Sequence, residues 1–254
     1  MADGVVHYTL EDGVATLTMD RPAARNALNS ALREGLWDGF RRFVADDEAL
    51  VAVLAATGDV FCAGADLKEM AALGLRVPPP DFLPQLGRNL HTEKPVIAAV
   101  QGPAYAGGFA LAQMCDLCVA ADDARFAITE AKWSRGAPWA APLPWLIPPR
   151  VALELIVTAE PLSAERAHQV GLVNRVVPRA ELHAETQALA RTIARNAPLS
   201  VRAAKRMVYA VAGRELDAAF DAAGPIWESV YESEDAQEGP RAFREKRTPV
   251  WKAR

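Results

Sequence analysis

The stretch AVQGPAYAGGFALAQMCD, residues 99–116, passes from an apolar run through a loop of small residues into a helical pattern. An earlier stretch, VAVLAATGDVFCAGADLKEM at residues 51–70, has the same order. In both, the apolar run is typical of a buried strand, and the small residues mark a turn into a helix. This repeated order of strand, loop and helix indicates an α/β fold.

Regular elements are also predicted on either side of these two stretches. Residues 5–20 alternate in polarity around a turn at Asp12–Gly13, which predicts a β-hairpin. Residues 30–47 carry apolar side chains at helical spacing, which predicts an amphipathic helix with Ser30 as its N-cap. A further helix is predicted around residues 82–92.

The C-terminal part of the chain has a different pattern from the rest. From about residue 180 onward the spacing of apolar residues is helical only, whereas strands and helices mix before it. We therefore expect an α/β core over residues 1–195 and a helical region over residues 196–254.

The composition is that of a soluble globular protein. Of the 254 residues, 51% are hydrophobic and 24% are charged, and the formal net charge is −4. An acidic chain of this kind argues against a nucleic-acid binder. The opening residues, MADGVVHYTL, lack the features of a secretory signal, and no apolar run is long enough to span a bilayer. We expect a cytoplasmic protein without membrane contact.

Two of the three cysteines, Cys115 and Cys118, form a C-x-x-C pair. Such a pair is half of a zinc site or a redox motif. Here it lies in an apolar run without a second pair of ligands nearby, and the four histidines are scattered. A buried structural pair is the favoured interpretation, and we expect no metal.

The small-residue loops have a chemical interpretation. The first turn of a helix leaves backbone N–H groups without partners, and Gly and Ala let a ligand approach them closely. Two such groups, those of Ala65 and Gly108 for example, can converge on one oxygen as an oxyanion hole. The alternative is that the small residues serve tight packing only. Neither loop matches a phosphate-binding motif.

Six stretches of the chain carry a family resemblance, in an order that covers nearly its whole length. They are RPAARNALN, FCAGADLKEM, AVQGPAYAGG, MCDLCVAADDARFAITEAK, PLSAERAHQVGLVNRVVP and SEDAQEGPRAFREKRTPVW. With these stretches the chain resembles the enoyl-CoA hydratase/isomerase family, also called the crotonase family.

The resemblance implies a fold, a substrate and an assembly. The fold would be a spiral of repeated ββα units followed by a helical C-terminal region that builds homotrimers, often paired into hexamers. The substrate would be an acyl-CoA thioester, and no cofactor is implied beyond the coenzyme A of that substrate.

The resemblance also implies the site. The thioester oxygen would lie between the N–H groups of Ala65 and Gly107, with Gly108 one step further along the helix. Residues matched to coenzyme A contacts are Ala24, Arg25, Ala63, Asp66, Leu67, Lys68, Phe243 and Lys246, the last two often supplied by a neighbouring subunit. A basic side chain near a phosphate is a poorly specific signal of coenzyme A binding. Asp66 has the alternative role of a helix cap.

The chain departs from the family pattern at its acid/base residues. Hydratases of the family use two glutamates, and the positions matched to them are Ala110 and Glu130. Alanine cannot transfer a proton, so Glu130 would be the single general acid/base. That arrangement fits double-bond isomerisation better than hydration. A milder departure is Ala106, which stands where the family has the first glycine of a triplet.

The segment after Glu130 is rich in tryptophan and proline. Trp133 and Trp139, with Ala110, are candidates for the acyl pocket, although filling the core is the commoner role of a tryptophan. Two other functions stay open: hydration or dehydration by a modified route, and binding of acyl-CoA without catalysis.

Overall fold

A six-stranded sheet is formed by the residues that this computed structural model describes, which are 5–75 and 77–254. The hairpin of β1 and β2 is antiparallel, and every further pairing in the sheet is parallel. The strands, in their order across the sheet, are β1 (Val5–Glu11), β2 (Val14–Asp20), β3 (Val51–Ala56), β4 (Val96–Val100), β6 (Leu117–Ala121) and β9 (Arg175–Val177).

A second, smaller sheet contains β5 (Pro103–Tyr105), β7 (Arg125–Ala127) and β8 (Leu162–Ser163), in the order β5-β7-β8. Its first two strands directly follow strands of the large sheet, so the chain passes from one sheet to the other. Cys62 pairs with Ala104 in a parallel bridge, which brings the loop after β3 to the edge of β5. Strand, short strand and helix thus follow one another repeatedly, as the ββα repeat requires.

The helices that follow the first strands of each repeat are amphipathic or buried. These are α1 (Ser30–Ala45), α2 (Leu67–Ala72) and α3 (Gly107–Met114). Helix α1 places Leu32, Leu36, Phe40 and Phe43 in the core.

The predicted N-cap of α1 is wrong by one residue. Asn29 caps the helix, because its side-chain oxygen accepts from the N–H of Leu32 at 3.0 Å. Ser30 is the first helical residue, and its N–H and hydroxyl instead donate to the carboxylate of Glu69. Both residues are good caps, and the tertiary contact with Glu69 decides between them.

The helix predicted around residues 82–92 is also wrong, because the structure has turns there. The Asn89 side chain accepts from the N–H of Gln85 at 2.7 Å and donates to the carbonyls of Pro80 and Leu83. Gly87 has a φ of 79°. Side-chain bonds of this kind compete with the helical ladder.

The later part of the described chain is helical, as predicted. Only the short strand β9 interrupts the helices after β8, and none of the helices in residues 5–75 and 77–254 is long and apolar enough to cross a membrane. The predicted boundary at residues 195 and 196 falls between α7 and α8. These helices are α4 (Leu143–Leu146), α5 (Pro149–Thr158), α6 (Ala164–Gln169), α7 (Leu182–Ala194), α8 (Pro198–Val211), α9 (Leu216–Tyr231) and α10 (Asp235–Glu245).

Candidate active site

Two loops meet at the start of α3: residues 57–66, after β3, and residues 101–106, after β4. The N–H of Cys62 donates to the carbonyl of Pro103 at 3.1 Å, and the N–H of Tyr105 donates to the carbonyl of Cys62 at 2.9 Å. A Cβ atom on Gly108 would overlap that same Cys62 carbonyl oxygen. Glycine at 108 is therefore required for the close contact of α3 with the first loop.

Gly64 brings the first loop against the beginning of α3. It has a φ of +97°, and a Cβ placed on it would lie 2.8 Å from the Cβ of Ala106 and 3.4 Å from the backbone nitrogen of Gly107. Gly64 precedes Ala65, so the structure brings the loops carrying Ala65 and Gly107 together.

The N–H groups of Ala65 and Gly107 have no hydrogen-bond partner among the described residues. On either side of Ala65 the backbone is engaged, since the Gly64 carbonyl accepts from Leu28 and the Asp66 N–H donates to the Leu28 carbonyl. Gly107 opens α3, where no intrahelical acceptor exists for its N–H. Two free amides on adjoining loops can stabilise a negatively charged oxygen.

Ala106, the residue before α3, has a φ of 50° and a ψ of −120°. Residues other than glycine rarely adopt this conformation. Its N–H donates to the carbonyl of Ala127 at 2.9 Å, which fixes the start of α3 against β7.

Asp66 supports the first loop from within. Its carboxylate caps α2 by accepting from the N–H groups of Lys68 and Glu69, and it pairs with Arg21 at 2.8 Å. Burial alone would raise the pKa of Asp66, but the Arg21 guanidinium and the α2 amides outweigh it and lower the pKa. The alternative role of Asp66 as a cap is thus confirmed, and a direct contact with coenzyme A stays a prediction.

The residues in the first half of the chain that match coenzyme A contacts of the family lie near one another. The carbonyl of Arg25 accepts from the N–H of Ala63 at 3.0 Å, so Ala24 and Arg25 adjoin the first loop. The side chains of Arg25, Leu67 and Lys68 are exposed.

Phe243 and Lys246 lie elsewhere in the single chain. Phe243 is 88% exposed on α10, and Lys246 follows that helix in a left-handed conformation. Among the described residues, no hydrogen bond or ion pair joins either side chain to the two loops. Their contact with coenzyme A stays a prediction.

Glu130 lies just after β7, in a short 3-10 helix that spans Thr129–Trp133. Its Oε1 accepts from the indole N–H of Trp139 at 2.9 Å. Its Oε2 is buried and has no partner among the described residues. Burial raises the pKa of this carboxyl, while the bond from Trp139 and one from its own backbone amide oppose the rise. A carboxyl with a raised pKa and a free oxygen can exchange a proton with a bound ligand.

Ala110 is buried on α3, next to an aromatic cluster. The ring of Phe109 lies 5.8 Å from that of Trp139 in an edge-to-face arrangement and 5.6 Å from that of Phe126. The side chain at position 110 is only a methyl group, and the acyl pocket assigned to Ala110 and Trp139 stays a prediction.

Sequence reasoning missed the bond between Trp139 and Glu130. It treated Trp133 and Trp139 alike as candidates for the acyl pocket, but Trp133 is 63% exposed. Ser134, in a left-handed conformation, lies between the two tryptophans, and Trp139 itself is part of a second 3-10 turn at Pro138–Ala140. No periodicity predicts which indole donates to Glu130.

The cysteines of the C-x-x-C pair are buried and free. Burial raises the pKa of Cys118 to about 12 and raises that of Cys115 as well. Residues 5–75 and 77–254 contain no cluster of His, Cys, Asp or Glu side chains arranged to hold a metal ion.

Comparison with known proteins identifies the family of this chain. The family model described as enoyl-CoA hydratase/isomerase matches residues 9–254. The chain belongs to the enoyl-CoA hydratase/isomerase family. The resemblance and the crotonase fold are thereby confirmed, and the family's substrates are expected to be acyl-CoA thioesters.

Three relatives of this family member have the names dehydratase, hydratase and hydratase/isomerase. Carnitinyl-CoA dehydratase from Salmonella typhi is 38% identical over 98% of both chains. The crystal structure of an enoyl-CoA hydratase from Mycobacterium tuberculosis H37Rv matches with a TM-score of 0.90 and 38% identity, covering 98% of this chain and 99% of that one. A probable enoyl-CoA hydratase/isomerase from Mycobacterium abscessus matches with a TM-score of 0.88 and 39% identity over 100% of both chains.

Proposed function

We propose that this protein moves the double bond of a 3-enoyl-CoA thioester to the 2 position, with Glu130 as its single acid/base. One observation carries the proposal: position 110 is alanine, and the buried Oε2 of Glu130 has no partner in the part of the chain that the structure describes. One carboxyl suffices for isomerisation, because the proton removed from one carbon is returned to another.

The proposed reaction has two proton-transfer steps. In the first, Oε2 of Glu130 takes a proton from C2 of the 3-enoyl thioester, and the C–H electron pair forms a dienolate. In the second, the protonated Glu130 gives that proton to C4, which restores the carboxylate and leaves the 2-enoyl thioester.

The dienolate oxygen is the group that the free amides would hold. The N–H groups of Ala65 and Gly107, with that of Gly108 beside them, would donate to it as negative charge develops. One such donor contributes about 3–4 kcal/mol, which corresponds to a rate factor of roughly a hundred to a thousand. Coenzyme A would lie against the exposed side chains of Arg25, Leu67 and Lys68, with Ala24, Ala63 and Asp66 beneath them.

Turnover of 3-enoyl-CoA thioesters of increasing acyl length tests the proposal. The protein should form the conjugated 2-enoyl product, and Glu130→Gln should abolish this activity. The matched control is Glu160→Gln, since Glu160 is an exposed carboxyl paired with Lys132. Binding of acyl-CoA by the unaltered protein without any turnover would instead support a non-catalytic acyl-CoA-binding function.

Dehydration or hydration is the second candidate, and the name of the 38% identical carnitinyl-CoA dehydratase favours it. Here Glu130 would have to serve both the C2 proton and the departing hydroxyl. Hydration of crotonyl-CoA, measured beside isomerisation, separates the two. If the missing acid alone limits hydration, Ala110→Glu should raise it above the level of the unaltered protein.

A homotrimer, or a hexamer of two trimers, belongs to the same proposal. The C-terminal helices expose large apolar side chains, which an oligomer would cover. Light scattering after size exclusion measures the assembly, and a monomer at working concentration would contradict it. The exposed apolar residues are Val208, Tyr209, Leu216, Phe220, Tyr231 and Phe243.

A cytoplasmic location is proposed as well, and cell fractionation tests it.

A further inference from the structure

The two oxygens of Glu130 have different surroundings. Oε1 receives the indole N–H of Trp139 over 2.9 Å, whereas Oε2 is buried without a partner in the described chain. An indole has one donor and no acceptor, so it can bind the carboxylate but cannot take its proton. A carboxyl held at one oxygen in this way has one atom left for chemistry.

Trp139 is itself held by helix α3. Gln113 donates from Nε2 to the backbone carbonyl of Trp139 at 3.1 Å, and the ring of Phe109 packs edge-to-face on the indole at 5.8 Å. Gln113 lies three residues after Ala110, on the same face of α3. The helix that lacks a carboxyl at 110 therefore supports the segment that carries Trp139.

We propose that Trp139 is a positioning residue for Glu130, binding Oε1 so that Oε2 is the atom that accepts and returns the proton. Gln113 maintains this arrangement by fixing the backbone at Trp139. The inference rests on the proposed function, in which Glu130 is the acid/base.

The bond has two physical effects. It restricts the rotation of the carboxyl and thus aims Oε2, and displacement of a reacting group by about 1 Å can cost a factor of roughly a hundred in rate. It also favours the charged form of Glu130, which lowers its pKa against the effect of burial.

Charged side chains around Glu130 are directed to solvent. Lys132 and Arg135, on the same segment, are exposed, and Lys132 pairs with Glu160. Helix α5 packs against Thr129–Trp133, and its charged residues, Arg150 and Glu154, are exposed as well. Burial and hydrogen bonds, not a charged neighbour, are the causes of the pKa shift at Glu130.

Trp139→Phe tests the inference, since it removes the donor and keeps an aromatic ring beside Phe109. We expect kcat to fall about tenfold to a hundredfold with KM little changed. We also expect the acid limb of the pH–rate profile to move to higher pH. Trp145→Phe is the matched control, since Trp145 is 88% exposed on α4, and it should leave both unchanged. A fall in kcat with an unmoved acid limb would mean that Trp139 only packs, and would overturn the inference.

A measurement without turnover separates this inference from the proposed function. The 13C NMR titration of the Glu130 carboxyl, assigned by its loss in Glu130→Gln, reports its pKa directly. Trp139→Phe should raise that pKa, and an unchanged value overturns the positioning role whatever the activity. Absence of isomerase turnover in the unaltered protein contradicts the proposed function alone.

Gln113→Leu provides a second variant in case Trp139→Phe does not fold. It removes the bond to the Trp139 carbonyl and should raise the same pKa in the same direction, by less. If Gln113→Leu folds with the Glu130 titration unaltered, the supporting role of α3 is refuted.

Discussion

The Nζ atom of Lys205 lies 2.7 Å from Oδ2 of Asp116, and the pair joins helix α8 to the main sheet. Asp116 also accepts from the N–H of Val96 at 2.8 Å and from the hydroxyl of Tyr209 at 2.8 Å. Both charged side chains are about nine-tenths buried. One carboxylate thus binds a backbone amide of the core and two side chains of α8.

Asp116→Asn should destabilise the protein. The variant leaves the Lys205 ammonium buried without its counter-charge, and breaking a buried pair in this way costs about 3 kcal/mol. Urea unfolding followed by circular dichroism measures the change in free energy of unfolding. Asp38→Asn, in an exposed pair with Arg41, is the control and should change it by less than about 0.5 kcal/mol. Equal stabilities would show that the charge of Asp116 does not contribute to holding α8 on the core.

Glu130→Gln should raise the melting temperature at pH 8. The pKa of Glu130 is raised in the folded state by burial, so folding favours its protonated form. That contribution is fully present below the unfolded pKa and is lost as pH rises through the folded pKa. A neutral glutamine does not lose it, and the difference should vanish on acidification. Scanning calorimetry at several pH values checks this, and a lower melting temperature for the variant at pH 8 would contradict it.

Gly108→Ala should damage both stability and activity. The added methyl group would overlap the Cys62 carbonyl and force α3 away from the first loop, at a cost of about 1–3 kcal/mol. Gly136→Ala is the matched control, because its Cβ would lie 3.8 Å from the nearest atom, in Pro138. Thermal unfolding and the isomerase assay should separate the two variants. A fully active, fully stable Gly108→Ala would show that the loop contact is not needed.

Ala106→Gly should stabilise the protein. The φ of 50° at Ala106 strains a residue with a Cβ, and relief of such strain is worth about 1–3 kcal/mol. The greater freedom of glycine in the unfolded chain offsets roughly 0.4–1 kcal/mol of this. Denaturant unfolding should give a net gain of about 1 kcal/mol. A clear loss would mean that the Ala106 methyl contact beside Gly64 outweighs the strain.

The parts of the fold that the sequence predicted correctly are those determined by the residue types at the position itself. The turn at Asp12–Gly13 was predicted correctly, and both residues have a positive φ there. The strand-to-helix loops were also recognised, because their small residues are a direct requirement of close backbone contact. The helix predicted at 82–92 and the cap at Ser30 were wrong because distant or irregular side-chain bonds, from Asn89 and to Glu69, decided those positions.

The candidate site was predicted less completely than the fold. The pairing of the Ala65 and Gly107 loops was implied by the family resemblance, whereas the bond of Trp139 to Glu130 depends on the path of a segment with no regular spacing. The missing carboxyl at Ala110 was evident from the family resemblance. The contacts that Phe109 and Gln113, on the same helix as Ala110, make with Trp139 could not be predicted from the sequence, because they depend on the tertiary structure.

The indole that holds Glu130 is also a fluorophore. Its emission responds to the charge of a carboxylate at hydrogen-bond distance, so proton uptake by Glu130 has an optical signal inside the molecule. With the other five tryptophans of the chain replaced by phenylalanine, Trp139 would report that event, and the arrival of a ligand beside it, in real time without any added dye.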